Sequence, residues 1–224
     1  MHRIAATPGG WSPQDEGVIF IEQSPAPIVF LTAADTDIQT LVAATSQLPA
    51  SFPALRVVNL LQLQQQLTID TYAEKVLSVA RIIILRLLGG RAYWSYGLEV
   101  VRETAQQTGA VLVVLPGDDR PDLELSTHST VSLAMVNQLW RYFTEGGVEN
   151  FTNALKFAAD IGLGHTYNPP PPHSVPRVGV YSWGLGTRDC FQTSLSDLAP
   201  PLPSSLKLRL NKGGNPKSKI GLLF

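Results

Sequence analysis

Two apolar runs, Ile82-Ile-Ile-Leu-Arg-Leu-Leu88 and Ala110-Val-Leu-Val-Val-Leu115, constrain this chain most, because neither alternates polar with apolar residues. Successive side chains of a strand point to opposite faces. A strand of this composition therefore has core on both sides and belongs inside a parallel sheet covered by helices. One residue breaks the pattern. Arg86 shares its face with Ile82, Ile84 and Leu88, while Ile83, Leu85 and Leu87 share the other. A cation on a core face is costly unless a carboxylate, a carbonyl or a ligand meets it.

The rest of the chain has a β-α-β-α rhythm. Residues 18–21 and 28–31 are short β-rich runs separated by Ser24-Pro-Ala-Pro27. Thr36-Asp-Ile-Gln39 has the form of a capping box, opening a helix that runs to about residue 47 with Ile38, Leu41 and Val42 on its buried stripe. A strand over 55–61, a helix over about 70–79 and the Ile82 strand follow. The next helix spans about 92–108, carries Tyr93, Trp94, Leu98, Val101 and Ala105 at helical spacing, and closes at Gly109. Beyond the Ala110 strand, Val136, Leu139, Trp140 and Phe143 predict a helix over about 130–144, broken by Gly146-Gly147. Val148, Phe151, Leu155 and Ala158 predict a second, which makes a helical hairpin beside the sheet. The fold class is α/β: an open, mostly parallel sheet with flanking helices, flavodoxin-like or Rossmann-like.

Composition changes after Gly164, where Asn168 leads into four prolines. The expected organisation is an N-terminal α/β domain over 1–165 and a Pro-rich, irregular linker over 166–218 with a short strand at 177–182. Residues 219–224 then read as the first strand of a second α/β domain left incomplete, so the chain reads as a fragment. Seventeen Lys plus Arg against eighteen Asp plus Glu leave a net charge of -1, with no electrostatic footprint for nucleic acid or an anionic membrane. No apolar run approaches the roughly 20 residues of a membrane helix. The lone Cys190 cannot form an internal disulfide and the N-terminus lacks a secretory h-region, so the cytoplasm is the expected location.

In an open parallel sheet, ligands favour the crevice beyond the carboxyl ends of the strands. Three loops gather there: Thr32-Ala-Ala-Asp35, Gly89-Gly-Arg91 and Pro116-Gly-Asp-Asp119. The candidate ligand-binding residues are Arg86, Arg91, Tyr93, Trp94, Asp118 and Asp119. Asp118 or Asp119 is the expected partner of Arg86 or Arg91, and helix amides after Gly90 offer a seat for an anion. Tyr93, Trp94 and Tyr96 have the faces to stack on a flat ligand. Plainer readings stand beside these: a structural ion pair for Arg86, and core positions for Tyr93 and Trp94. Gly89-Gly90 completes neither G-x-G-x-x-G nor a Walker loop, which disfavours nucleotides. His2, His128, His165 and His173 are scattered without ligand spacing, so no metal site is expected; His128 is the best single candidate, and Cys190 has no base beside it. Lys207, Arg209, Lys212, Lys217 and Lys219 read as a solvated linker.

At four motifs the chain resembles the N-terminal part of the CobN-type cobaltochelatase large subunits, a family related to the large subunit of magnesium chelatase. They are Leu31-Thr-Ala-Ala-Asp-Thr-Asp37, Arg86-Leu-Leu-Gly-Gly-Arg-Ala-Tyr-Trp-Ser-Tyr-Gly97, Leu115-Pro-Gly-Asp-Asp-Arg-Pro-Asp122 and Tyr142-Phe-Thr-Glu-Gly-Gly-Val-Glu-Asn-Phe151, in an order that covers roughly the first 165 residues. The resemblance implies a part in ATP-dependent insertion of cobalt into a corrin-ring precursor during cobalamin biosynthesis. The large subunit would hold the tetrapyrrole and Co²⁺, and separate AAA+ ATPase subunits would hydrolyse ATP with Mg²⁺. Such large subunits are several times longer, so the chain is expected to bind no cofactor itself, to be inactive alone, and to lack most of the catalytic residues. Arg86, Tyr93, Trp94, Asp118 and Asp119 then fall within matched motifs that line a tetrapyrrole-facing or partner-facing edge. Two alternatives stay open: a free-standing flavodoxin-like interaction module, and the equivalent part of a magnesium chelatase in chlorophyll biosynthesis.

Overall fold

Both doubly apolar runs are strands of one parallel sheet. The computed structural model describes residues 20–175, 180–181 and 221–222, in two units divided after His173. The first unit contains strands β1 (Ile28–Thr32), β2 (Leu55–Asn59), β3 (Ile82–Leu87) and β4 (Val111–Pro116). All four are parallel, in the order β2-β1-β3-β4. The helices are α1 (Asp35–Thr45), α2 (Gln66–Lys75), α3 (Ser95–Thr108), the single turn α4 (Leu123–Ser126), α5 (Leu133–Glu145) and α6 (Val148–Leu163). Among the described residues, no helix is long and apolar enough to cross a membrane.

Alternation along β3 divides the core as its sequence requires. Ile83, Leu85 and Leu87 pack with Ile69 and Tyr72 of α2 and Leu98 and Val101 of α3. Ile82 and Ile84 pack with Leu41 of α1, Phe143 of α5 and Leu155 of α6. Each such fully buried aliphatic side chain contributes about 1.5–3 kcal/mol, so five of them hold β3 inside the sheet against the cost of one cation. Because α1 and α2 cover opposite faces, the winding reverses between β1 and β3. That reversal is the topological switch point of a doubly wound sheet.

Several boundaries differ from the sequence reading for identifiable reasons. The capping box is not formed: α1 begins at Asp35, Ala34 occupies the N-cap position, and Thr36 lies inside the helix. Thr32 has already closed the turn, its Oγ1 accepting from Ala34 N–H at 3.1 Å. The run at 18–21 forms no strand in its described residues, and Phe20 is half exposed. Instead Gln23 Nε2 donates to Val57 O (3.0 Å) and Arg56 Nε to Ser24 O (2.8 Å), so side chains tie this segment to β2. The helix expected from residue 92 starts at Ser95 after a 3₁₀ turn over Arg91–Tyr93, and it ends, as predicted, at Gly109 in the left-handed region. The hairpin is present, its helices locked by an edge-to-face contact of Phe143 and Phe151 at 4.9 Å.

The start of the Pro-rich stretch is strapped to that hairpin. Asp160 accepts from the backbone N–H groups of Tyr167 (2.7 Å) and Asn168 (2.8 Å), and the Tyr142 hydroxyl donates to Pro170 O. The buried amide of Asn150 donates to His173 O (3.0 Å) and accepts from His173 N–H (3.2 Å). Asp160→Ala is expected to cost about 1–2 kcal/mol, since two charge-assisted bonds are lost. Hydrogen exchange would show it first at Tyr167 and Asn168; unchanged protection there would refute the strap.

In the second unit, β5 (Val180–Tyr181) pairs antiparallel with β6 (Gly221–Leu222). The readings of His2, Cys190 and the lysine-rich tail fall outside the described residues.

Candidate functional site

A polar row crosses the carboxyl ends of the strands. Asn59 of β2, Thr32 of β1 and Arg86 of β3 are register partners, so three side chains come level at one edge of the sheet. Asn59 Nδ2 donates to Asp35 Oδ1 (3.0 Å) at the start of α1, while its Oδ1 accepts from Leu61 N–H (2.9 Å). Thr32 Oγ1 donates to Asp37 Oδ2 at 2.9 Å. The other oxygen of Asp37 is bound by Arg86 Nη1 in a buried ion pair, the two side chains being only 7% and 8% exposed respectively. Arg86 Nη2 donates to Gly117 O (3.0 Å), and the guanidinium lies 5.8 Å from the centre of the Phe143 ring. Gly117 is close against β3: its N–H donates to Leu87 O (2.6 Å), and a Cβ there would meet Leu88 N at 2.9 Å. Arg86 Nε is buried with no hydrogen-bond partner among the described residues.

The expected partner of Arg86 is therefore corrected. Asp118 and Asp119 are exposed, and Asp118 Oδ1 instead accepts from Arg120 N–H (3.3 Å) within its own loop. Both the β1 loop and the β4 loop flank β3. The first turn of α1 lies over the face that Arg86 shares with Ile82 and Ile84, whereas the Gly117 turn carries Asp118 away into solvent. Arg91 is exposed and lies 3.8 Å from Glu124, an arrangement that contributes little. Tyr93 is 47% exposed, but Trp94 is buried and its Nε1 donates to Leu63 O at 3.1 Å. Of the amides after Gly90, those of Tyr93 and Trp94 are used within the 3₁₀ turn, donating to Gly90 O and Arg91 O. Gly89 and Gly90 both have positive φ, 86° and 74°, which explains the double glycine.

Two cavities open beside this row and share Pro116, Pro121 and Leu123. One, of about 380 Å³, is lined by Gly89, Gly90, Asp118 and Arg120 as well. The other, of about 320 Å³, is apolar, with Leu133, Val136 and Trp140 in its wall. Trp140 Nε1 donates to Asp118 O at 3.2 Å, fixing the loop between the two. Among the described residues, no group of three His, Cys, Asp or Glu side chains is placed to hold a metal ion. His128 continues the α4 turn through its N–H to Leu125 O (3.2 Å), and His165 stacks on Tyr167. The residues sequence reasoning missed are Asp37, Asn59 and Phe143, while Thr32 entered it only as the start of an edge loop. Asp37 and Thr32 stand in the first of the quoted motifs and Phe143 in the fourth, and all four motifs meet at Arg86.

Fold and site together define a doubly wound α/β domain whose switch-point crevice is closed by an ion pair and whose exposed carboxyl-edge loops form a rim. No protein-family model matches the chain. It is 39% identical over 181 residues to the aerobic cobaltochelatase subunit CobN of Pseudomonas aeruginosa, covering 81% of this chain and 14% of that protein. To the CobN of a Sinorhizobium species it is 36% identical over 186 residues, covering 83% of this chain and 14% of that one. The solved catalytic subunit of cobaltochelatase from Mycobacterium tuberculosis superposes with a TM-score of 0.54 at 27% identity, over 70% of this chain and 12% of that one. The chain belongs to the CobN family of cobaltochelatase subunits, and it spans 14% of the length of the curated relatives it matches.

Proposed function

We propose that this chain serves as the N-terminal portion of a cobaltochelatase large subunit, contributing to ATP-dependent insertion of cobalt into a corrin-ring precursor in cobalamin biosynthesis. The observation that carries this reading is the 39% identity to a CobN subunit over 81% of the chain. In this reading the cytoplasmic enzyme takes Co²⁺ as substrate and uses ATP and Mg²⁺ through AAA+ partner subunits, and this portion does not catalyse alone. Its contribution is the rim: Arg91, Tyr93, Asp118 and Asp119 meet the tetrapyrrole or a partner subunit, while buried Arg86 and Trp94 hold that rim in place.

Reconstitution tests it. The chain mixed with AAA+ chelatase subunits, ATP, Mg²⁺, Co²⁺ and a corrin precursor is expected to insert no cobalt, followed by the corrin absorption spectrum. Adding it to a large subunit deleted for the matching region is expected to restore insertion. Insertion by the chain unaided would overturn the claim that it is inactive alone; failure of the complemented mixture would overturn the assigned role.

A further inference from the structure

Among the described residues the sheet ends at β4, and the outer edge of that strand is closed residue by residue. Val111 N–H donates to Arg81 O (2.8 Å) and Gly117 N–H to Leu87 O (2.6 Å), so odd-numbered residues bond toward β3. Residues 110, 112, 114 and 116 therefore face outward. Ala110 N–H donates to Thr108 Oγ1 (3.4 Å), Leu112 N–H to Thr130 Oγ1 (2.9 Å) and Val114 N–H to Ser129 Oγ (2.8 Å). Pro116 has no N–H to offer. The outward carbonyls are matched as well. Leu112 O accepts from Thr130 N–H (2.8 Å) and from its hydroxyl (3.3 Å), and Val114 O accepts from the Ser129 hydroxyl (3.3 Å). Flavodoxin-like sheets continue with a fifth strand at this place. Here a segment that is not a strand stands in for it, through the Ser129 and Thr130 hydroxyls and the Thr130 N–H.

We propose that Ser129 and Thr130 guard the β4 edge against strand addition, and that the partner they exclude is the β4 edge of a second copy. An open edge exposes a row of donors and acceptors ready to template pairing, and natural sheets block such rows. From Ala110 to Leu115 the strand carries no charge that would itself repel another strand. Two copies related by a two-fold axis would set Leu112 and Val114 of each antiparallel to the other, because a two-fold contact uses the same patch twice. Pro116 ends the row, so the guard has only these two residues to cover.

The test uses the 224-residue chain with Ser129→Ala and Thr130→Val, which removes both hydroxyls while keeping side-chain volume close to the original. In sedimentation velocity its mass is expected to rise about twofold over the parent's as concentration increases, with Leu112 and Val114 protected in hydrogen exchange only in the heavier form. Ser129→Thr with Thr130→Ser keeps both hydroxyls and should behave as the parent. Ser129→Ala with Thr130→Lys also removes both hydroxyls but places a charge at the edge, and should not associate. Should the first pair of substitutions unfold the chain, Ser129→Ala alone, which opens Val114 only, carries the same test. A Ser129→Ala, Thr130→Val variant that keeps the parent's mass at every concentration overturns the proposal. So does association of the lysine variant to the same extent, since loosened packing would then be the cause.

Discussion

Asp37→Ala is expected to destabilise the domain by about 3–5 kcal/mol, because it strands a guanidinium that is buried beside the switch point. Among the described residues, Gly117 O and the Phe143 ring would remain beside it, and Thr32 would lose its acceptor. Domains of this kind are stable by roughly 5–15 kcal/mol in total, so the loss is a large share. Arg86→Met is expected to cost a similar amount by leaving the carboxylate unpaired. The informative variant is the double one. Asp37→Leu with Arg86→Met removes both charges and fills both volumes, and it should return to within about 1 kcal/mol of the parent, since buried pairs rarely outperform apolar replacements. Urea unfolding with a common slope across the series measures each step, and single variants within about 1 kcal/mol of the parent would refute the account. The same double variant separates the two readings of Arg86. If it supports cobalt insertion in the complemented enzyme, the pair is structural; if it folds but fails there, Arg86 reaches a ligand.

How much of this was visible in the sequence follows from which forces are local. The doubly apolar runs at Ile82 and Ala110, the glycine stop at Gly109 and the hairpin break at Gly146-Gly147 depend on periodicity and backbone freedom, which a single segment carries. The placement of Arg86 on the same face as Ile82 and Ile84 is equally local. Its partner was not, because the choice between Asp37 and Asp118 depends on how the loops of β1 and β4 turn once both strands flank β3. Thr36 competed with Thr32 for the start of α1, and sequence spacing favoured the wrong threonine: Thr32 is the one held at the strand end, in register with Arg86. Trp94 shows the same limit. Its spacing fits a buried stripe and its chemistry fits a ligand platform, and only the carbonyl of Leu63, distant in sequence, decides for the core.

That indole also makes Gly97 irreplaceable in the parent chain. A Cβ on Gly97 would lie 2.0 Å from Trp94 Cε2 and 2.2 Å from Cζ2, far inside contact distance. Trp94 precedes α3 directly, with its ring turned back over the first helical turn, so the side chain cannot slide aside without giving up its bond to Leu63 O. Gly97→Ala is therefore expected to cost about 3 kcal/mol, the upper end of ordinary overpacking. Trp94→Ala should cost about 3–5 kcal/mol through the cavity it leaves. The two must not add. With the indole gone, the methyl added by Gly97→Ala has room, and alanine is favoured over glycine within a helix by up to about 1 kcal/mol, so the sign of the second substitution reverses. Unfolding curves for the four combinations decide it, and an equal cost for Gly97→Ala in both backgrounds would sink the explanation. The reversal bears on the rim too. Arg91 and Tyr93 form the 3₁₀ turn that ends at Trp94, so Gly97→Ala should expose that turn to proteolysis, and removal of the indole should do so whether glycine or alanine follows at the third position beyond it.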